Sequence, residues 1–129
     1  MRSRFVQYLH DIDVLLARQS GLTRAMVLAT DRHLAGESTR EELAQTAMGQ
    51  LEAYVALEAD ASALVVPDAL ERAHALFAEG FAACAAAQQR LLASLDEGGA
   101  PDLNGFEIPA LCLRSATEQA YAAAATLAA

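Results

Sequence analysis

The stretch LERAHALFAEGFAACAAAQQRLLASL, residues 70–95, decides the fold of this 129-residue chain. Apolar side chains recur along it at alternating steps of four and three residues, the spacing that places them on one face of a helix. Two polar residues, His74 and Gln88, share that face. The repeated positions are Leu70, His74, Phe77, Phe81, Cys84, Gln88, Leu91 and Leu95. The pattern therefore predicts a long helix that packs against neighbouring helices along this face.

Two further helices are predicted before Pro67. The proline marks the end of the second one, because it disfavours helix in the residue before it. The first begins after Ser3, a good N-cap, and ends near Gly36, because glycine tolerates positive φ at a helix C-terminus. The second begins at a capping box, Ser38 to Glu41, in which a glutamate follows a hydroxyl by three residues. The predicted buried positions are Phe5, Leu9, Ile12 and Leu16 in the first helix and Leu43, Ala47, Gln50, Tyr54, Leu57, Ala61 and Leu64 in the second.

The segment after residue 95 predicts the fourth helix. Glycines, a proline and an Asn-Gly pair in residues 96–105 are the strongest loop signal of the chain. A helix from about Phe106 to Leu127 follows, with Pro109 tolerated in its first turn. Because short connections favour antiparallel neighbours, we expect an all-α, antiparallel up-down-up-down four-helix bundle that residues 1–129 form as a single domain.

Composition and charge exclude several classes of function. Alanine accounts for 31 residues and aromatic types for only 5%, which favours close helix packing over a sandwich or barrel. The net charge of −8 disfavours nucleic acid and anionic membrane surfaces as partners. His10, Asp11 and Asp13 interrupt the apolar run that a signal peptide needs, and no uncharged run is long enough to span a membrane. We therefore expect a cytoplasmic protein that binds neither nucleic acid nor membrane.

Small residues flank the buried face of the third helix. Ala73, Gly80 and Ala87 lie on one side of it, and Ala78 and Ala85 on the other. These positions predict that the third and fourth helices pack closely. Because both helices are rich in uncharged residues all round, their outer faces are predicted to meet a partner protein, with a homodimer as the simplest case.

A metal site is one interpretation of ERAH, residues 71–74, because di-metal sites in four-helix bundles use Glu-x-x-His units. Counting residues from the turns places Asp13 and Glu58 near the level of Glu71 and His74. Asp13, Glu58, Glu71 and His74 are thus the candidate ligands for a divalent Fe, Mn or Zn ion. Against this, only one such unit occurs, and an acid near a helix N-terminus is favoured without any metal.

The alternative interpretation of His74 is structural. Gln19, Gln50 and Gln88 are polar residues that also interrupt the apolar faces, and buried polar groups need hydrogen-bond partners. Together with His74 they predict a hydrogen-bonded layer that fixes the register of the helices. Under this interpretation the protein binds no cofactor.

Nothing in the sequence predicts catalytic residues. Ser20-Gly21 lacks the strand-turn-helix context of a nucleophile elbow, and Gly98-Gly99 has no lysine after it to form a phosphate loop. Cys84 and Cys112 are predicted to be free thiols, offset by about 10 Å along the bundle axis. The sequence favours a non-catalytic interaction or assembly protein. A metal-binding bundle, and a binder of a small apolar ligand in a cavity between small-residue faces, stay open as alternatives.

Overall fold

The computed structural model describes residues 3–128, which form four α-helices. The helices are α1 (Arg4–Leu34), α2 (Arg40–Ser62), α3 (Glu71–Asp96) and α4 (Glu107–Ala128). Single 3-10 turns, Asp68–Leu70 and Asn104–Phe106, precede the last two helices. No β-strand occurs among residues 3–128, and the all-α prediction is confirmed. Within the same residues, no helix combines the length and the apolar character that crossing a membrane requires.

Successive helices are antiparallel. Along each neighbouring pair, the contacting residue numbers rise on one helix while they fall on the other. The contacts are Arg18–Asp60 and Leu22–Gln50 between α1 and α2, Ala61–His74 and Arg40–Leu95 between α2 and α3, and Leu76–Cys112 and Ala87–Gly105 between α3 and the α4 segment. The pairing therefore gives the up-down-up-down bundle that the short connections predict.

The predicted helix ends are confirmed with one correction. The Ser3 hydroxyl accepts a hydrogen bond from the Val6 amide, and Gly36 has a φ of 75° just after α1. The capping box of α2 lies one residue later than predicted, because Thr39 and Glu42 exchange two bonds of 3.1 Å. The sequence STREE offers the motif in two registers, and the structure uses the second.

The buried faces of α2 and α3 follow the predicted spacing. Every predicted position is buried except Leu64 and His74, which are half-buried. On α1 the prediction is partly wrong, since three of its four predicted positions are only half-buried and Ile12 alone is fully buried. The buried side chains of α1 are Tyr8, Ile12, Leu15 and Met26. α1 packs mainly on α2, so only part of its wide apolar band faces the core.

α3 and α4 pack closely, as the small residues predict. A Cβ atom built on Gly80 would lie 2.5 Å from Leu113 Cδ2, which is shorter than any normal contact between carbon atoms. In the 3-10 turn that precedes α4, a Cβ atom on Gly105 would lie 3.3 Å from Ala87 Cβ. The absence of a side chain at these two glycines therefore allows the backbones to approach.

The core consists of two hydrophobic clusters with a polar layer between them. The larger cluster includes Tyr8, Tyr54, Phe77, Phe81 and Leu113. The smaller cluster of buried residues is Met26, Leu43, Ala47, Leu91 and Leu95. Gln50 and Gln88 belong to neither and are the two buried polar residues of the described chain. Along α2 and α3 they stand between residues of the two clusters.

Candidate ligand-binding cavity

A cavity of about 520 Å³ lies between α1 and α4. It forms because α1 packs against α2 but makes no extensive backbone contact with α4 within residues 3–128. Between Leu15 and Met26, about three turns, α1 has no fully buried side chain, although Leu16 and Leu22 pack partly against the larger cluster. The space that a fully closed bundle would fill there is left open.

The wall on the α4 side of the cavity is mainly apolar, the wall on α1 mixes apolar and polar side chains, and the floor is polar. α2 and α3 provide the floor, where Tyr54 and Cys84 lie one turn away from Gln50 and Gln88 respectively. The walls come from one face of α1 and from the segment around the start of α4. Wall residues are Leu16, Gln19, Ser20, Thr23, Met26, Val27, Thr30 and Asp31 on one side and Leu103, Phe106, Pro109, Ala110, Leu113, Arg114 and Thr117 on the other.

The two floor glutamines carry unpaired carbonyl oxygens. Gln50 is 5% exposed, and its Nε2 donates to the Leu22 carbonyl of α1 at 2.9 Å. That bond fixes the orientation of the carboxamide and leaves Oε1 as the free atom. Gln88 is 1% exposed, and its Oε1 likewise has no hydrogen-bond partner among residues 3–128. A buried acceptor without a partner costs about 1–3 kcal/mol.

The interior of the cavity is neutral at physiological pH. Burial raises the pKa of Tyr54 to about 12, and the nearby Cys84 reinforces that shift. Burial raises the pKa of the Cys84 thiol to about 11, with the charge of Cys112 adding to the effect. Both groups are therefore protonated, and Cys84 is not a thiolate nucleophile. The charged lining residues, Asp31 and Arg114, are solvent-exposed.

The structure places the four predicted metal ligands on three helices. Asp13 and Glu71 are exposed on α1 and α3, whereas Glu58 and His74 are half-buried on α2 and α3. The Tyr121 hydroxyl approaches Asp13 Oδ1 at 3.5 Å. Within residues 3–128, no group of three or more His, Cys, Asp or Glu side chains is arranged to hold a metal ion. The metal site stays a prediction from helix spacing.

His74 interacts instead with a buried tyrosine across the bundle. Its Nδ1 lies 2.9 Å from the Tyr8 hydroxyl, and the two rings meet edge to face. Burial lowers the pKa of His74, and the nearby backbone of Ala61 partly opposes that effect. The imidazole tautomer decides which partner donates in the bond between Nδ1 and the Tyr8 hydroxyl. The neutral imidazole therefore joins α1, α2 and α3.

We expect His74 to make stability depend on pH. Because its pKa is lowered by folding, its contribution is complete above the ordinary value of about 6.5 and is lost as the pH falls. The free energy of unfolding should therefore decrease more steeply from about pH 7 to about pH 5 in the wild type than in His74→Asn. Urea denaturation at a series of pH values measures this difference. His10→Asn, at an exposed histidine, is the matched control, and equal slopes for wild type and His74→Asn would contradict the prediction.

The polar residues that interrupt the apolar faces were the sequence signal for this site. The prediction of a hydrogen-bonded layer that fixes the register of the helices is correct for His74, which bonds to Tyr8 of another helix, whereas the 2.7 Å bond from Gln19 to Thr23 stays within α1. It is incomplete for Gln50 and wrong for the carbonyl oxygen of Gln88. Sequence spacing could not reveal the cavity itself, because the cavity depends on the separation of α1 from α4.

Comparison of the chain with protein-family models, with curated proteins and with solved structures finds no match. A functional proposal therefore rests on the residues and geometry of this chain alone.

Proposed function

We propose that this protein binds a small, largely apolar molecule in the cavity between α1 and α4. The observation that carries the proposal is the cavity itself, about 520 Å³ in volume and with a mainly apolar surface. Small-molecule sites in proteins are typically pockets of roughly 300–1,000 Å³ with apolar walls and a few polar groups. The site thus has both the size and the lining of a ligand pocket.

The chemistry of the lining favours binding over catalysis. Burial keeps Tyr54 and Cys84 protonated, and the His74 imidazole is absent from the lining. The carboxylate and guanidinium groups of the lining belong to exposed residues, Asp31 and Arg114. Apolar side chains such as Met26 and Phe106 can bury the body of a ligand, and such burial contributes about 25 cal/mol per Å² of apolar surface.

Nile red, a neutral dye that fluoresces in apolar surroundings, tests this proposal. We expect saturable binding at one molecule per chain. Ala110→Trp places a large side chain at an exposed position of the wall and should weaken binding at least about tenfold, because the indole competes for the volume. Fluorescence titration of both proteins measures the two dissociation constants.

Ala122→Trp is the matched control, since Ala122 is exposed on the same helix and does not line the cavity. It should bind the dye as the wild type does. Binding that fails to saturate, or an equal loss in both variants, would place the dye on exposed apolar side chains and contradict the proposal.

The other functions that the sequence suggests stay predictions. Self-association through α3 and α4 is supported by two adjacent exposed side chains on α4, Ile108 at 66% and Leu111 at 61%. An assembly role is compatible with a ligand cavity, since the cavity lies on the side where α4 faces α1. Metal binding by Asp13, Glu58, Glu71 and His74 has only the spacing in its favour.

A further inference from the structure

We infer that the ligand is an amphipathic carboxylate, with its head group bound by Arg114 and its alkyl chain in the cavity between α1 and α4. This inference rests on the proposed function, since it specifies the chemistry of a molecule in the same cavity. Arg114 supplies the one positive charge of the lining, and it is exposed to solvent, where a ligand can reach it. The only ion pair among residues 3–128 joins Arg18 to Asp60, so Arg114 has no carboxylate partner there.

A contact between α1 and α4 locates Arg114 along the cavity. The Tyr121 hydroxyl lies 3.5 Å from Asp13 Oδ1, and the two helices run in opposite directions. Arg114 precedes Tyr121 by seven residues on α4, and Ser20 follows Asp13 by seven on α1. Because equal numbers of residues span equal lengths of helix, Arg114 lies near the level of Ser20.

The lining changes from polar to apolar with distance from Arg114. At the level of Arg114 the walls carry uncharged polar side chains, namely Gln19, Ser20 and Thr117. Phe106 precedes Arg114 by eight residues, about 12 Å along the helix axis. The lining around the level of Phe106 is apolar and includes Met26, Val27 and Leu103. An amphipathic molecule therefore places its head group at Arg114 and its chain towards Phe106.

The charge at the polar end of the cavity selects a carboxylate. A guanidinium can bind a carboxylate through two parallel hydrogen bonds, and the Ser20 hydroxyl is a further donor at the same level. An ammonium head group placed there would be repelled by Arg114. Asp31, the one carboxylate of the lining, follows Ser20 by eleven residues, about 16 Å along α1. That distance is about twice the Debye length at physiological ionic strength, so Asp31 repels a carboxylate at Arg114 only weakly.

Octanoate and 1-octanol test this inference, because they have the same number of carbon atoms and differ in the charge of the head group. We expect both to bind the wild-type protein. Arg114→Gln should weaken octanoate binding about fivefold and change octanol binding less than about twofold, because only the carboxylate loses an ion pair. Arg72→Gln is the matched control, since Arg72 is exposed, does not line the cavity and changes the net charge equally. Ligand-observed NMR titration at neutral pH measures all six dissociation constants.

The outcomes separate the inference from the proposed function. Octanoate binding that Arg114→Gln leaves unchanged, or that Arg72→Gln weakens equally, overturns the inference while the binding function stands. Wild-type protein that binds octanol but not octanoate overturns it as well. If neither compound binds wild type at concentrations up to its solubility, the proposed function fails.

Two further readouts show that the charge of Arg114 is the cause. Retained binding of octanol by Arg114→Gln shows that the variant is folded and that its cavity is intact. Arg114→Lys keeps the positive charge and should retain more of the octanoate affinity than Arg114→Gln does. Equal losses of octanoate affinity in the two variants would overturn the inference, because the charge would then have no part in binding.

Discussion

Replacing Gly80 with leucine should lower the free energy of unfolding by about 3 kcal/mol, because α3 and α4 meet at this glycine. Even the first side-chain atom, Cβ, would lie 2.5 Å from Leu113 Cδ2 and 2.7 Å from Leu113 Cγ. Leucine gains about 1 kcal/mol of helix propensity over glycine, which offsets only part of the overpacking. Urea denaturation followed by circular dichroism measures the change.

Two further variants determine whether the contact with Leu113 is the cause. Gly49→Leu is the matched control on α2, since Gly49 is exposed and a Cβ atom there would meet nothing within 4 Å. It should raise stability by up to about 1 kcal/mol. Leu113→Ala should cost less in the Gly80→Leu background than in the wild type, because the smaller side chain makes room for the new one. Additive effects of the two substitutions would contradict this explanation.

The sequence predicts the inner helices better than the outer ones. Nearly every position that the spacing selects in α2 and α3 is buried, because each of these helices has a neighbouring helix on two sides and the full apolar face is covered. α3 also buries small residues beside that face, namely Ala73, Gly80, Ala85 and Ala87. On α1 the same reasoning selects Phe5, Leu9 and Leu16, which are only half-buried. A helix that packs mainly on one neighbour buries only part of its apolar band, and spacing alone does not say which part.

Local sequence also leaves ambiguities that only the folded chain resolves. The capping motif of α2 fits Ser38 or Thr39 equally well by residue type, and the structure uses Thr39. The close approach at Gly80 is predictable, because small residues recur on that side of α3. The opening between α1 and α4 is not, since it depends on how far two helices distant in sequence stand apart.

The candidate site is visible in the sequence only as a set of polar residues at positions expected to be apolar. Spacing identifies Gln50 and Gln88 as buried, and both are. It cannot tell whether a buried carboxamide finds a partner, because the partner comes from another helix. Gln50 finds one for its nitrogen at Leu22, and neither glutamine finds one for its oxygen among residues 3–128. Spacing likewise cannot show that His74 finds a hydrogen-bond partner in Tyr8, because Tyr8 comes from another helix.

Replacing Gln88 with methionine should raise the free energy of unfolding by about 1–3 kcal/mol in the absence of ligand. Methionine has a similar length and no polar group that needs a partner, so the substitution removes the cost of the unpaired oxygen at little change in packing. Gln88 is 1% exposed. Its neighbours one turn away on α3 are Cys84 on one side and Leu91 and Leu92 on the other. Thermal and urea denaturation of the ligand-free protein measure the gain.

Gln89→Met is the matched control, because Gln89 is the adjacent residue of α3 and is exposed to solvent. Its effect should stay within about 0.5 kcal/mol. A Gln88→Met variant that is less stable than the wild type would mean that the Oε1 atom is well satisfied in solution, and it would contradict the prediction.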